Sequence, residues 1–181
     1  MRHWRLSRIG LIPISLRGCS KPLVALPHMG AGGTSLDVRL RPATPADYEF
    51  ALDLFERTMR PYAEQTWGVW LKEKAQDEIR RDCADGRAKI IEVNSAPVGM
   101  LRVDQEPPTH LQLEKLNVLP DHQRKGIGSL VLNHVISEAK QLGLPVRLRV
   151  LRVNPAKGLY ERHGFTVTRE EDVRFHMECA F

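Results

Sequence analysis

The turn Gln123-Arg-Lys-Gly-Ile-Gly128 combines what an anionic ligand needs from a protein backbone. It follows an extended run ending at Leu119 and a short Pro120-Asp-His turn, and it opens a helical pattern that starts near Ser129. The first N–H groups of a helix lack carbonyl partners and sit at the positive end of its dipole, so such a terminus attracts phosphate. Gly126 and Gly128 would let the chain approach an anion with no side chain in the way, and Arg124 and Lys125 would add positive charge. The spacing is neither that of a Walker loop, GxxxxGK(S/T), nor the three-glycine dinucleotide fingerprint.

The elements that must position this turn follow from periodicity. Asp37-Val-Arg-Leu-Arg-Pro alternates apolar and polar residues and predicts a strand ending at Pro42. Thr44-Pro45-Ala-Asp places a capping hydroxyl before a proline at the first helical position. A helix is expected from there to about Met59, with Phe50, Ala51, Leu54 and Phe55 on a buried face and Arg60-Pro61 closing it. A second helix is expected from about Trp67 to Asp82, ended by the Asp85-Gly86 turn. Lys89–Val93, Val98–Val103 and Leu111–Leu119 read as an antiparallel meander. Then come a helix to Leu142 with an apolar stripe at Leu130, Val131, His134, Val135, Ile136 and Ala139, a strand at Val146–Val153, a short helix around Pro155–His163, and strands near Phe165–Thr168 and Val173–Cys179. The expected class is α/β, a mixed sheet of about six to seven strands flanked by about four helices, without internal repeats.

Leu119-Pro-Asp-His-Gln-Arg-Lys-Gly-Ile-Gly resembles the Gln/Arg-x-x-Gly-x-Gly/Ala signature of the GNAT superfamily of acetyl-CoA-dependent N-acetyltransferases. Asn154-Pro-Ala-Lys-Gly-Leu-Tyr-Glu-Arg-His-Gly-Phe165 resembles the family's Asn…Leu-Tyr-Glu-(basic)-x-Gly-Phe segment, and the order of elements is the family's. Met59-Arg-Pro-Tyr-Ala-Glu-Gln-Thr-Trp-Gly68 also looks like an early stretch of some members. The resemblance covers roughly 37–181, most strongly 111–165. It implies the acyl-CoA N-acyltransferase fold and transfer of an acetyl group from acetyl-CoA to a primary amine, small or peptidic, without a metal. By the same resemblance, backbone groups of Leu116 and Val118 would pair with the pantetheine arm at a splay between two parallel strands. Gln123, Arg124, Lys125, Gly126, Ile127, Gly128 and Ser129 would hold the pyrophosphate, and Asn154 would lie near the thiol end.

Tyr160 would protonate the departing thiolate, although its spacing to Leu159 and Phe165 equally suits a core aromatic. An amine must be neutral to attack, so a carboxylate is wanted as base. Glu114, on the strand leading to the turn, is the candidate; a solvent-facing glutamate beside Lys115 fits the sequence as well. Tyr62, Glu64 and Trp67, with Gln65 and Trp70, are the candidates for an acceptor wall, where aromatics and a carboxylate could clamp a cationic amine. Packing of the second helix onto the sheet is the other role open to Trp67 and Trp70.

Composition bounds the alternatives. A chain of 181 residues, 42% hydrophobic and 27% charged, fits one folded domain, and no apolar run approaches the ~20 residues that span a bilayer. The net charge of +5 resides in residues 1–36, which hold Arg2, Arg5, Arg8, Arg17 and Lys21 and no acid. The rest is neutral, so neither nucleic acid nor a membrane is an expected partner. Residues 1–36, with scattered prolines and glycines, are expected to be an irregular basic extension or a mis-called start ahead of Met29, and 37–181 the domain. Cys19, Cys83 and Cys179 lack metal spacing and read as small buried hydrophobes in a reducing, cytoplasmic setting. His110, His122, His134, His163 and His176 show no metal pattern either. Two rival readings stand beside transfer: a non-catalytic acyl-CoA-binding domain of the same fold, and a nucleic-acid binder acting through its basic tail. The acceptor's identity and the oligomeric state, a homodimer included, stay open.

Overall fold

A computed structural model describes residues 37–106 and 109–181; the expectations for residues 1–36 lie outside the described residues. In β1 (Val38–Pro42) the alternation sends Val38 and Leu40 into the core and turns Arg39 and Arg41 outward. Arg41 pairs with Asp47 at 2.6 Å, and Asp47 also accepts the Thr44 N–H and hydroxyl at 2.8 Å each. The start of the first helix is thereby tied to the strand before it.

That helix, α1 (Tyr48–Trp67), corrects the expected stop at Arg60-Pro61. Proline removes one N–H, but the helix continues through it, supported by the Arg60–Glu64 pair at 2.7 Å and by the Thr66 hydroxyl on the Tyr62 carbonyl. It ends where Gly68 adopts φ 72° and donates to the Glu64 carbonyl at 2.8 Å, a left-handed cap that suits glycine. The next helix, α2 (Lys72–Ala84), therefore starts later than expected, and Trp67 belongs to the end of α1.

Next come β2 (Ala88–Val93), β3 (Ala96–Glu106) and β4 (His110–Val118), an antiparallel meander as expected. Asn94 and Ser95, both at positive φ, make the two-residue turn between β2 and β3. The second half is α3 (Ile127–Leu142), β5 (Val146–Leu151), α4 (Ala156–Arg162), β6 (Thr166–Glu170) and β7 (Arg174–Cys179). The seven strands form one sheet in the order β1-β2-β3-β4-β5-β7-β6. Its only parallel pair among the described residues is β4–β5, with α3 as crossover.

Each face of the sheet is covered. Ala51, Leu54, Ile79 and Cys83 of α1 and α2 pack on Ala88, Ile90 and Met100. On the opposite face Val131, Leu132, Val135 and Ala139 of α3, with Tyr160 of α4, pack on Leu111, Leu113, Val146 and Leu148. Cys83 and Cys179 are free and buried, and burial raises both thiols, Cys83 to about 11. Among the described residues no helix is long and apolar enough to cross a membrane.

Candidate active site

The apolar alternation of β4 changes phase midway. Leu111 and Leu113 face the α3–α4 core, and so do Leu116 and Val118, although odd and even positions of a regular strand point to opposite faces. A β-bulge resolves this: Arg102 opposes Lys115 and Val103 opposes Leu113, so Glu114 is an extra residue on β4. Past the bulge, Lys115 and Asn117 face the α1–α2 side. Asn117 Nδ2 donates to Thr58 Oγ1 of α1 at 3.0 Å, and Lys115 reaches Glu78 and Asp82 of α2.

Pairing between β4 and β5 stops at the same place, the last partners being Leu113 and Leu148. Beyond them the strands part and leave a gap. The Leu119 N–H donates to Val98 on β3 at 2.8 Å. By alternation, Leu116 and Val118 direct their own backbone groups away from β3 and toward the gap. Gln123 Nε2 donates to the Val118 carbonyl at 2.9 Å, which locks the turn to the strand and engages the Gln123 side chain internally.

The turn itself is built from two left-handed residues, Arg124 at φ 58° and Gly126 at φ 83°, the latter capping α3 without any side-chain bond. Leu130 is the first α3 residue to find a helical carbonyl, that of Gly126 at 2.9 Å. The N–H groups of Ile127, Gly128 and Ser129 are thus the free first turn of the helix. Arg124 and Lys125 are exposed and join no ion pair among the described residues. A Cβ on Gly128 would meet Leu159 Cδ2 at 3.6 Å, an ordinary contact, so the two helices α3 and α4 adjoin here. Phosphate oxygens fit this arrangement of unpartnered N–H groups and uncommitted cations.

Tyr160 is 8% exposed and edge-on to Phe165 at 5.7 Å between centroids. Burial pushes its phenol up to about 12, so the hydroxyl holds its proton at neutral pH. Asn154 Oδ1 accepts the Ala156 N–H at 2.9 Å and so starts α4. Glu114 is exposed, with Arg149 of β5 3.3 Å from both its oxygens, just past the last β4–β5 partners. Arg147 and Arg149 alternate with the buried Val146, Leu148 and Val150, which puts Glu114 and Arg149 on the α1–α2 side. Tyr160 and Glu114 therefore lie on opposite faces of the sheet, Glu114 at the place where it opens.

The acceptor candidates are less gathered. Tyr62 is half-buried one helical turn past Thr58, the residue bonded to Asn117, while Glu64 is held by Arg60 and Trp67 is 50% exposed. Trp70, in the segment between α1 and α2, packs on Phe55 of α1 with centroids 5.7 Å apart, not as the expected wedge between the second helix and the sheet. The bulge, Asn117–Thr58 and Asp82 escaped the sequence reading. The signal was present: the apolar alternation Leu111, Leu113 resumes out of step at Leu116, Val118.

Comparisons with known proteins agree with this geometry. The model of the acetyltransferase (GNAT) family matches residues 50–165. An uncharacterized N-acetyltransferase of Bacillus cereus is 34% identical over 68 residues, which are 38% of this chain and 40% of that protein's length. Among solved structures, the PaiA N-acetyltransferase of Thermoplasma acidophilum in complex with coenzyme A superposes with a TM-score of 0.61 at 21% identity, covering 80% of this chain and 99% of that one. An acetyltransferase of Thermus thermophilus gives 0.64 at 21% identity, over 80% and 97%. At these identities the likeness is one of fold.

Proposed function

Since the chain belongs to the acetyltransferase (GNAT) family, we propose that it moves an acetyl group from acetyl-CoA to a primary amine by direct attack of the amine on the thioester. The observation that carries this reading is the gap past Leu113, which has the free first turn of α3 at one end and Glu114 at its mouth. A pyrophosphate on the N–H groups of Ile127, Gly128 and Ser129, flanked by Arg124 and Lys125, would let the pantetheine arm run along Leu116 and Val118 in place of the missing strand. Asn154 would shape the thiol end by fixing the start of α4.

In this mechanism Glu114 removes a proton from the incoming ammonium on the α1–α2 side. Glu114 passes that proton to solvent. The amine forms its bond to the thioester carbon, the carbon–sulfur bond breaks, and the nitrogen's second proton leaves to restore the Tyr160 phenol. Tyr160 gives its proton to the sulfur on the α3–α4 side. No metal enters these steps. Tyr62 is the acceptor-wall residue best placed to touch the amine, with Trp67 and Glu64 further along α1. A reducing, cytoplasmic setting accords with free Cys83 and Cys179.

The test is twofold. Acetyl-CoA at about 100 times its Kd should stabilise the protein by about 2.7 kcal/mol, roughly 5–11 °C for a chain this size. Gly126→Asp puts a side chain and a negative charge at the pyrophosphate end and should abolish that shift. An amine panel read by coenzyme A release then names the acceptor. An unchanged shift in Gly126→Asp sinks the assigned turn; no coenzyme A release with any amine of the panel leaves the non-catalytic reading in place.

A further inference from the structure

The bulge that aims Glu114 is held by one carboxylate. Arg102 on β3 and Lys115 on β4 are register partners, the pair next to the point where the strands fall out of step. Both side chains end on Asp82 of α2: the Arg102 guanidinium donates to Oδ1, and the Lys115 ammonium stands 2.9 Å from Oδ2 in an ion pair not aligned as a hydrogen bond. Asp82 is 1% exposed. Asp104 takes the other edge of Arg102 at 3.0 Å, Asp85 lies 3.3 Å from it, and Glu78 accepts from Lys115. None of these three touches both strands.

The register gives Asp82 a specific task. Were β4 to continue from Leu113 without the extra residue, alternation would send Lys115 into the apolar α3–α4 core and turn Leu116 toward α2. The contact between Lys115 and Asp82 exists only in the bulged register. The unbulged alternative is therefore penalised twice, by burying the Lys115 charge in an apolar core and by leaving Asp82 Oδ2 without its lysine. The same bulge ends the β4–β5 pairing and leaves Glu114 beside Arg149 at the mouth of the gap.

We propose that Asp82 is a positioning residue for acetyl transfer, clamping Arg102 to Lys115 so that the bulge keeps its register and Glu114 keeps its direction. The assignment rests on Glu114 as the base. The experiment is a double-mutant cycle in the full chain. Asp82→Asn should lower kcat for amine acetylation at least tenfold with KM for acetyl-CoA unchanged, because the turn at Gly126 is built independently. In a Glu114→Gln background the same change should lower kcat less than twofold, since the residue it positions is already disabled. Asp47→Asn, which breaks an ion pair that includes neither Arg102 nor Lys115, should lower the melting temperature without lowering kcat. Amide exchange at Leu113–Leu116, which needs no substrate, should rise in Asp82→Asn and stay unchanged in Asp47→Asn. If Asp82→Asn does not fold, Lys115→Met cuts the β4 half of the clamp, leaves Asp82 its arginine, and runs the same cycle. Reductions that multiply in the double mutant, or unchanged exchange at Leu113–Leu116, overturn the role of Asp82 alone. A Glu114→Gln enzyme as fast as wild type removes the base assignment and this proposal with it.

Discussion

Tyr160 and Glu114 differ in how firmly their surroundings commit them. Tyr160 sits in the apolar cluster with its phenol pushed up to about 12 by burial, so it stays protonated at neutral pH but gives its proton up less readily than a free phenol. Tyr160→Phe keeps the ring and its contact with Phe165, so kcat should fall about 10²–10⁴-fold with coenzyme affinity nearly unchanged. Stopped-assay turnover and a binding isotherm check the two halves; full activity would return Tyr160 to the core-aromatic role that its spacing also allowed. Glu114 is exposed and shares its charge with Arg149, an ion pair of small worth to stability. Glu114→Gln should therefore leave the melting temperature within about 1–2 °C of wild type. Its rate should climb with pH as the amine deprotonates unaided, and a parallel pH profile in mutant and wild type would remove it from the mechanism. Both residues were nameable in the sequence through their motifs. What was not legible is that they stand on opposite faces of the sheet, because that depends on a bulge whose extra residue leaves only a phase slip between Leu113 and Leu116.

At the scale of elements, order and type followed from periodicity, and the boundaries moved where one residue was given too much weight. Pro61 reads as a stop, yet it removes a single N–H from a helix of 20 residues that Arg60–Glu64, the Thr66 hydroxyl and the Gly68 cap support on its far side. That shift carried Trp67 out of α2 and onto the exposed end of α1. The β3–β4 pairing holds a tighter constraint. A Cβ on Gly99 would lie 2.5 Å from the Asn117 carbonyl and 3.0 Å from Ile91 Cδ1, so backbone must move to admit it. Asn117 separates Leu116 from Val118, the two residues whose backbones face the gap. Gly99→Ala should thus cost about 1–3 kcal/mol in denaturant unfolding and weaken coenzyme binding together. Unfolding weakened with binding intact would mean that β3 and β4 part without disturbing the gap.

For the whole molecule, the association of β1 with the start of α1 brings together the first strand of the described residues and the α1–α2 layer on one face of the sheet. Arg41 joins Asp47 and Glu92 at 2.6 and 2.7 Å, and it holds the Asp47 carboxyl down to about 2, aided by the Thr44 donors and opposed by burial. A carboxyl whose folded value is depressed stabilises the fold above its unfolded value of 3.8 and loses that contribution as pH falls toward 2. That depression contributes about 2 kcal/mol at neutral pH. Asp47→Asn should lower the melting temperature by roughly 4–8 °C at pH 7, and the gap between mutant and wild type should close progressively from about pH 4 down to pH 2. Thermal melts across that range check it. A constant difference at all pH values would assign the loss to the Thr44 bonds and helix start alone, with no contribution from the charge. Since Asp47 lies far along the chain from the bulge and bonds to none of its residues, turnover per folded molecule should stay at the wild-type value throughout, which separates the stability of the α1 layer from the geometry of the gap it faces.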